Sequence, residues 1–311
     1  MNGVILGIDT SCYTTSVAAF SLNGELIFEK RKLLEVPIGK RGLAQSEMVF
    51  QHIKALPLLL ESLFEEIECS VRAIGVSAWP RRQEGSYMPV FCVGEGIARS
   101  LSAAHKVPLF LFSHQEGHLW ALIEEEPTWE NRDFWAIQSS GGTLEGLQVT
   151  WTPSGELRAE ICQSSGDISI GQLIDRVGVK AGLPFPAGPH YPPSDLGKNK
   201  RARIPVTWKE NQIFLAGAET HLYRIYENNG NEMLEEALRI AAEVTCQMGE
   251  RLGAKGSSVG FVGGVLSNES IRNYLKQYLS RELGFPKPAY NSDNAVGIAR
   301  GAWRSWKEGM T

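Results

Sequence analysis

Val4-Ile-Leu-Gly-Ile-Asp-Thr-Ser-Cys12 leads into Ser16-Val-Ala-Ala-Phe-Ser21, the turn Asn23-Gly24 and Glu25-Leu-Ile-Phe-Glu29. This series reads as a strand entering a polar loop, a second strand, a tight turn and a third strand. A similar series recurs further along. Phe134-Trp-Ala-Ile-Gln138 enters Ser139-Ser-Gly-Gly-Thr143, then come Gly146-Leu-Gln-Val-Thr-Trp151, the turn Ser154-Gly155 and Glu156-Leu-Arg-Ala-Glu160. Asn23-Gly-Glu-Leu26 and Ser154-Gly-Glu-Leu157 fall in register. Asn-Gly and Ser-Gly turns are common enough that two unrelated meanders would carry them, but the matching register favours a duplication. Small and hydroxyl residues in the first loop of each copy let backbone amides approach a phosphate.

Helical periodicity fills the space between and after the copies. Met48 to Ile67 reads as a helix with apolar residues at Val49, Ile53, Leu56, Leu59, Leu60, Leu63 and Ile67. Further helices are expected over 94–105, 168–180, 232–252, 267–282 and 294–307, with strands at 71–77, 109–113 and 258–262. The result is an α/β fold of two duplicated domains facing one another across a cleft, the architecture of the actin, Hsp70 and sugar-kinase superfamily. The first domain is expected over 1–126 plus 286–311 and the second over 127–285, with a hinge at Glu124-Glu-Glu-Pro127.

At 311 residues the chain exceeds one average domain, which agrees with two. A hydrophobic content of 43% and a charged content of 21% exclude a disordered chain and allow a sizeable core. The net charge of −4 does not mark a nucleic-acid binder. Any RNA contact falls to local basic groups, Lys198, Lys200, Arg201 and Arg203, or Arg81 and Arg82, which otherwise read as solvated loops. Five widely spaced cysteines without a Cys-x-x-Cys argue against a disulfide framework and for a reducing compartment. No apolar run approaches 18 residues and the first residues carry no leader pattern, so a soluble cytoplasmic protein without a membrane is expected.

His114-Gln-Glu-Gly-His118 carries the chemistry. Two imidazoles four residues apart share one helix face, where the strand Leu109-Phe-Leu-Phe-Ser113 gives way to the helix running through Leu119-Trp-Ala-Leu-Ile123. Asp293, before the last helix, adds a carboxylate. Two His and one carboxylate suit iron(II) or zinc and leave positions open for substrate oxygens. The plainer alternatives stay open: two ordinary His at a solvated helix start, and Asp293 as an N-cap. Proteolysis is disfavoured. Glu116 stands one place later than in His-Glu-x-x-His, which rotates it about 100° around the helix and off the metal-bound water.

Nucleotide-binding candidates lie in the second half. Gly263-Gly264 ends a strand, and Asn268 can hydrogen-bond a ribose or base. Gly171-Gln-Leu-Ile-Asp175 with Pro186-Ala-Gly-Pro189 would form an opposite wall, with Asp175 accepting from ribose hydroxyls. Ser140, Gly141, Gly142 and Thr143 would face a phosphate.

Together these stretches resemble the tRNA threonylcarbamoyladenosine transferase family, the TsaD-type proteins once called O-sialoglycoprotein endopeptidases. Gly7-Ile-Asp-Thr-Ser-Cys12 is similar to that family's Gly-Ile-Glu-Thr-Ser-Cys, and His114 to His118 to its His-Met-Glu-Gly-His. Ser140-Gly-Gly-Thr143 resembles its Ser-Gly-Gly-His/Asn-Thr loop, Gln172-Leu-Ile-Asp175 its Glu-Ala-Phe-Asp, and Phe185-Pro-Ala-Gly-Pro189 its Tyr-Pro-Gly-Gly-Pro. Gly263-Gly-Val-Leu-Ser-Asn268 resembles Gly-Gly-Val-Ala-Ala-Asn, and Ser292-Asp-Asn-Ala295 resembles Thr-Asp-Asn-Ala. The order runs nearly end to end.

The resemblance implies one divalent metal, iron or zinc, on His114, His118 and Asp293, acting on threonylcarbamoyl-adenylate. It implies that an adenosine beside a tRNA anticodon attacks through its exocyclic amine and releases AMP. Asp175, Gly188 and Asn268 would hold the nucleoside and Ser140 to Thr143 the phosphate side, with Gly171 and Gly264 also among the nucleotide- or substrate-binding residues. It further implies adenine nucleotide and tRNA as partners, with accessory proteins or a homodimer. Tyr13-Thr14 stand where the family has Asp-Glu, which leaves Asp9 and Thr14 as catalytic candidates. The family's Gly-Pro-Gly-Leu loop is replaced by the cationic Trp79-Pro-Arg-Arg-Gln-Glu-Gly85, and Gln172 replaces an acid. These departures leave two alternatives beside a tRNA transferase: a weak or regulatory paralogue, and a carbamoyl transferase with another acceptor.

Overall fold

A computed structural model describes residues 2–37, 40, 42–197, 206–226, 230–254 and 256–310. The basic residues Lys198, Lys200, Arg201 and Arg203 lie outside the described residues. Along the chain the strands and helices are β1 (Asn2–Asp9), β2 (Thr14–Ser21), β3 (Leu26–Leu33), α1 (Gln45–Glu66), β4 (Cys69–Trp79), α2 (Phe91–His105), β5 (Leu109–Ser113) and α3 (His114–Glu125). Next come β6 (Phe134–Ser139), β7 (Leu144–Trp151), β8 (Leu157–Ser165), α4 (Ile170–Lys180), β9 (Thr207–Lys209), β10 (Gln212–Phe214), α5 (Ala216–Tyr226) and α6 (Gly230–Arg251). The chain closes with β11 (Val259–Val262), α7 (Glu269–Tyr278), β12 (Leu283–Gly284), α8 (Pro288–Asn291) and α9 (Val296–Glu308). No helix among the described residues is long and apolar enough to cross a membrane.

The chain divides into two units. The first comprises Met1–Glu35, Leu43–Glu125 and Asp293–Thr311, and the second Val36–Gly42 and Glu126–Ser292. The return to the first unit comes at Asp293, against 286 expected from the sequence.

The sheet of the first unit runs β3-β2-β1-β4-β5. β1 pairs antiparallel with β2 and parallel with β4, and β4 pairs parallel with β5. Val4, Ile5, Leu6 and Ile8 are all fully buried, as a central strand covered on both faces requires. Burying each such side chain is worth roughly 1.5–3 kcal/mol. On α1 the buried stripe is Met48, His52, Ala55, Leu56, Leu60 and Leu63, whereas Ile53 is 54% exposed. The sequence expected Ile53 on that stripe. A buried histidine takes the inward position instead, because it has polar partners there.

The second unit repeats the plan. Its sheet runs β12-β11-β6-β7-β8-β10-β9, and within it β8-β7-β6-β11-β12 has the order and strand senses of the first sheet. β10 is added parallel to β8 and antiparallel to β9. This short hairpin and α5 were not expected, since their three-residue strands are too brief to show alternation. The expected helix over 267–282 is a short 3-10 turn, Gly264–Ser267, followed by α7 from Glu269. Asn268 separates the two because its side chain accepts from Ile271 N at 3.2 Å and caps α7.

Candidate functional site

β1, β4 and β5 run parallel, so their C-terminal ends gather Asp9, Ser77 and Ser113 at one edge of the first unit's sheet. α3 starts immediately after Ser113, and a capping box fixes its first turn. Ser113 Oγ accepts from Glu116 N at 3.1 Å, and Glu116 Oε2 accepts from Ser113 N at 2.6 Å and from Ser113 Oγ at 2.8 Å. Gln115 N donates to Pro80 O at 3.2 Å, and Arg82 Nε donates to Glu116 Oε1 at 3.0 Å. The cationic Trp79–Gly85 loop is thereby tied to the turn that carries the histidines. Both Glu116 oxygens accept hydrogen bonds from this framework.

α9 lies close against α3. A Cβ on Gly297 would fall 1.8 Å from Gly117 O, so the helices approach at a point that tolerates no side chain. That close approach delivers Asp293 to the histidines. The two imidazoles meet edge to face with centroids 4.5 Å apart. Asp293 Oδ1 lies 3.2 Å from His114 Nε2 and 3.7 Å from His118 Nε2. One ligand atom from each of His114, His118 and Asp293 falls within 4.8 Å of the others. On its other side His114 Nδ1 is 3.2 Å from Asp9 Oδ2.

The electrostatics follow from this geometry. Burial opposes a charge on His114, but Asp9 and Asp293 outweigh it and push its pKa up to about 10. His118 goes the other way, lowered by burial and then by the charge on His114. Burial also opposes ionisation of Asp293, yet the two histidines hold it well below the usual carboxylate range. His118 Nε2 is buried with no hydrogen-bond partner. An orphaned neutral imidazole nitrogen beside an ionised carboxylate fits a divalent ion, which takes up that lone pair.

Tyr13 and Thr14 have partners of their own. Tyr13 packs in an apolar cluster with Leu34, Met48, Val90 and Phe91, and its hydroxyl accepts from Leu43 N at 3.4 Å. Thr14 is buried in β2, opposite Leu33.

In the second unit four of the expected stretches come together. Ser140 N donates to Thr143 O at 2.9 Å and closes the turn that holds Gly141 and Gly142. Ser169 caps α4 with Gln172 in a capping box, and its hydroxyl also donates to Gly141 O at 3.0 Å. A Cβ on Gly171 would meet Ser140 O at 2.2 Å, and one on Gly263 would meet Ser139 O at 2.3 Å. The turn therefore sits between the first turn of α4 and the end of β11, with Gly264 following. Gln172, which stands where the resemblance puts an acid, keeps the capping box.

Asp175 and Asn268 have partners within the chain. Asp175 Oδ1 accepts from Ala187 N at 2.7 Å and so holds the Pro186–Pro189 loop, Gly188 included, on α4. Burial raises the Asp175 pKa, against the backbone amides of Ala187 and Gly188. Asn268 Oδ1 caps α7. The sequence reading missed Asn291, whose buried Oδ1 accepts from Gly263 N at 2.9 Å. It also missed the Ser113…Glu116 box, although Ser-x-x-Glu before an apolar run is a readable signal.

The chain matches the family model described as TsaD: tRNA N6-adenosine threonylcarbamoyltransferase over residues 40–300. The tRNA N6-adenosine threonylcarbamoyltransferase of Thermotoga neapolitana is 26% identical over an alignment of 324 positions, gaps included, covering 98% of this chain and 95% of that one. The one from Desulfotalea psychrophila is 28% identical over 323, covering 96% and 91%. Among solved structures, component A of the (R)-2-hydroxyglutaryl-CoA dehydratase of Acidaminococcus fermentans gives a TM-score of 0.56 at 15% identity, covering 98% of this chain and 99% of that one. The ROK hexokinase of Thermus thermophilus gives 0.53 at 17%, covering 98% and 100%. These likenesses show the fold, that of the actin, Hsp70 and sugar-kinase superfamily. The family match runs through both units and takes in the histidine pair, and by it the chain belongs to the TsaD family of tRNA N6-adenosine threonylcarbamoyltransferases.

Proposed function

We propose that this chain transfers the threonylcarbamoyl group of threonylcarbamoyl-adenylate to the N6 amine of an adenosine next to a tRNA anticodon, with one iron or zinc ion on His114, His118 and Asp293. One observation carries the metal reading: two imidazole nitrogens and a carboxylate oxygen converge within 4.8 Å. Leaving the His118 nitrogen unpaired would cost about 1–3 kcal/mol, which an ion offsets. When bound, a divalent ion supplies Lewis acidity toward phosphate and carbonyl oxygens. Family membership supplies the substrate class.

The chain's own residues do the rest. The turn Ser140 to Thr143, supported by Ser169 and Gly171, offers backbone amides to the phosphate. Gly264 and Asn268, with the Pro186–Pro189 loop that Asp175 holds, take the nucleoside. In the transfer a bond forms between the N6 nitrogen and the carbamoyl carbon. The bond from that carbon to the phosphate oxygen breaks, AMP leaves, and the amine loses a proton. Tyr13 stands where the resemblance puts an acid; its ring packs in an apolar cluster, and a phenol with an ordinary pKa near 10 is a poor acceptor for that proton.

That last observation favours a second reading: a paralogue that binds metal and adenylate but transfers weakly, serves as a regulatory subunit, or carbamoylates a different acceptor. The primary reading puts the chain in the cytoplasm with tRNA and accessory proteins. The test is AMP release from the adenylate with and without tRNA, together with mass spectrometry of nucleosides from the digested tRNA. Threonylcarbamoyladenosine formed only with the intact chain supports the transferase. AMP release without a modified nucleoside supports another acceptor. Neither product, under conditions where metal and nucleotide bind, leaves the regulatory paralogue.

A further inference from the structure

The carboxylate of Asp9 is held more tightly than a residue awaiting substrate would need to be. It is fully buried at the end of β1. Oδ1 accepts from Ser11 N at 3.0 Å and from the Ser77 hydroxyl on the neighbouring strand, while Oδ2 accepts from Ser11 Oγ at 2.8 Å. Strand pairing aims the group. β1 and β4 match Ile8 to Val76, which brings Asp9 beside Ser77, and β4 and β5 match Ser77 to Phe112, two residues before His114. From that fixed position Oδ2 lies 3.2 Å from His114 Nδ1. The opposite ring nitrogen, Nε2, lies 3.2 Å from Asp293 Oδ1.

A carboxylate can only accept from a histidine that carries the proton, so this contact keeps the hydrogen on Nδ1. The proton that a divalent ion would displace is the one on Nε2, 3.2 Å from Asp293 Oδ1, and its loss turns the lone pair toward the side where His118 Nε2 and Asp293 converge while the Nδ1 hydrogen stays with Asp9. Carboxylates in this relation to a metal-bound imidazole fix its tautomer and orientation and raise its basicity. We propose that Asp9 is a positioning residue of the metal centre, which locks His114 as the Nδ1–H tautomer through a carboxylate clamped by Ser11 and Ser77. The inference rests on the metal reading of His114, His118 and Asp293. It takes Asp9 out of the set of groups available to move a proton on the substrate, because both its oxygens already accept hydrogen bonds.

The test uses the full-length chain and zinc. Affinity is measured by chelator competition for the wild type and for Asp9→Asn, which keeps the size of the side chain but not its charge, with circular dichroism as a check on folding. A loss of about 10–100-fold in zinc affinity is expected. In parallel, nitrogen-15 correlation spectra of the zinc-loaded wild type should place the proton of His114 on Nδ1. A purely structural role for Asp9 would not set that tautomer. Equal zinc affinity in folded Asp9→Asn overturns the inference and leaves the metal reading intact, and so does a wild-type His114 that carries its proton on Nε2. If Asp9→Asn does not fold, the wild-type spectrum decides alone. A wild-type chain that takes up neither zinc nor iron(II) overturns both the metal reading and this inference.

Discussion

Glu116 Oε1 accepts from Arg82 Nε at 3.0 Å while Oε2 closes the capping box with Ser113. The central acid of His114-Gln-Glu-Gly-His118 therefore builds the turn rather than activating water. Glu116→Ala should destabilise the chain by about 1–2 kcal/mol, mostly through the lost cap, since a half-exposed ion pair adds little. Glu116→Gln preserves the box and should cost less. Urea denaturation of the two variants checks the order, and stability indistinguishable from wild type in Glu116→Ala would refute it. No peptidase activity is expected from either variant or from the parent.

Metal content tests the triad directly. Purified chain should carry about one iron or zinc ion, because a two-His, one-carboxylate set fills three positions of a single ion. His114→Ala combined with His118→Ala should abolish it. Metal retained at wild-type stoichiometry in the double variant, measured by elemental analysis, would sink the assignment.

His52 supplies a pH dependence apart from the metal ligands. Its Nε2 faces the carbonyl of Cys12 at 3.3 Å, so Nε2 carries the proton and Nδ1 accepts from Thr15 Oγ1 at 2.8 Å. Burial is the main cause of its lowered pKa. The folded chain thus resists a proton that the unfolded chain binds near pH 6.5. The stabilisation is fully present above that value and is lost as pH falls from there toward the folded pKa. His52→Gln should lose stability at pH 7.5, and its deficit against wild type should shrink as the pH is lowered toward 5. A deficit that stays constant across that range would contradict the neutral buried imidazole.

Nucleotide binding should show as thermal protection. A ligand at about one hundred times its Kd stabilises the native state by about 2.7 kcal/mol. ATP, ADP or AMP should therefore raise the unfolding midpoint. Asp175→Ala frees the loop that Ala187 N anchors and should weaken the shift. Midpoints unmoved by all three nucleotides at millimolar concentration would remove the nucleotide site.

The doubled β-plan was legible because each copy alternates strand and turn with the Gly-Glu-Leu triplets in register. The same strand order in both sheets is the physical form of that repeat. The histidines and Asp293 were legible as residue types, but Gly297 was not, since nothing in one sequence says that Gly117 will press against it. Asp9 was read as a catalytic candidate, and its contact with His114 depends on pairing among β1, β4 and β5 that no local pattern reveals. Asp175 and Asn268 were read by what they offer a ligand, while the structure also gives them partners in their own unit. Local sequence carries the donors and acceptors of a side chain but not which of them the fold will use.

Tyr13 makes the sharpest prediction. A weak amine attacking a carbamoyl carbon needs its proton removed, and a positioned base is worth about 10²–10⁴-fold. Tyrosine, with an unperturbed pKa near 10, is a poor base at neutral pH. The unmodified chain should bind metal and adenylate yet modify tRNA far more slowly than a family member with the acids in place. Restoring them by Tyr13→Asp with Thr14→Glu faces a structural obstacle. Tyr13 fills the cluster of Leu34, Met48, Val90 and Phe91, and Thr14 is buried in β2. Truncating the aromatic ring and burying carboxylates there should cost about 3–5 kcal/mol. The double variant should therefore unfold at a clearly lower temperature, and any gain in rate should appear only well below that midpoint. Transfer at ordinary family rates by the unmodified chain, with accessory proteins supplied, would show that Tyr13 costs the reaction nothing. An unchanged melting temperature in the double variant would show that the cluster does not depend on the ring.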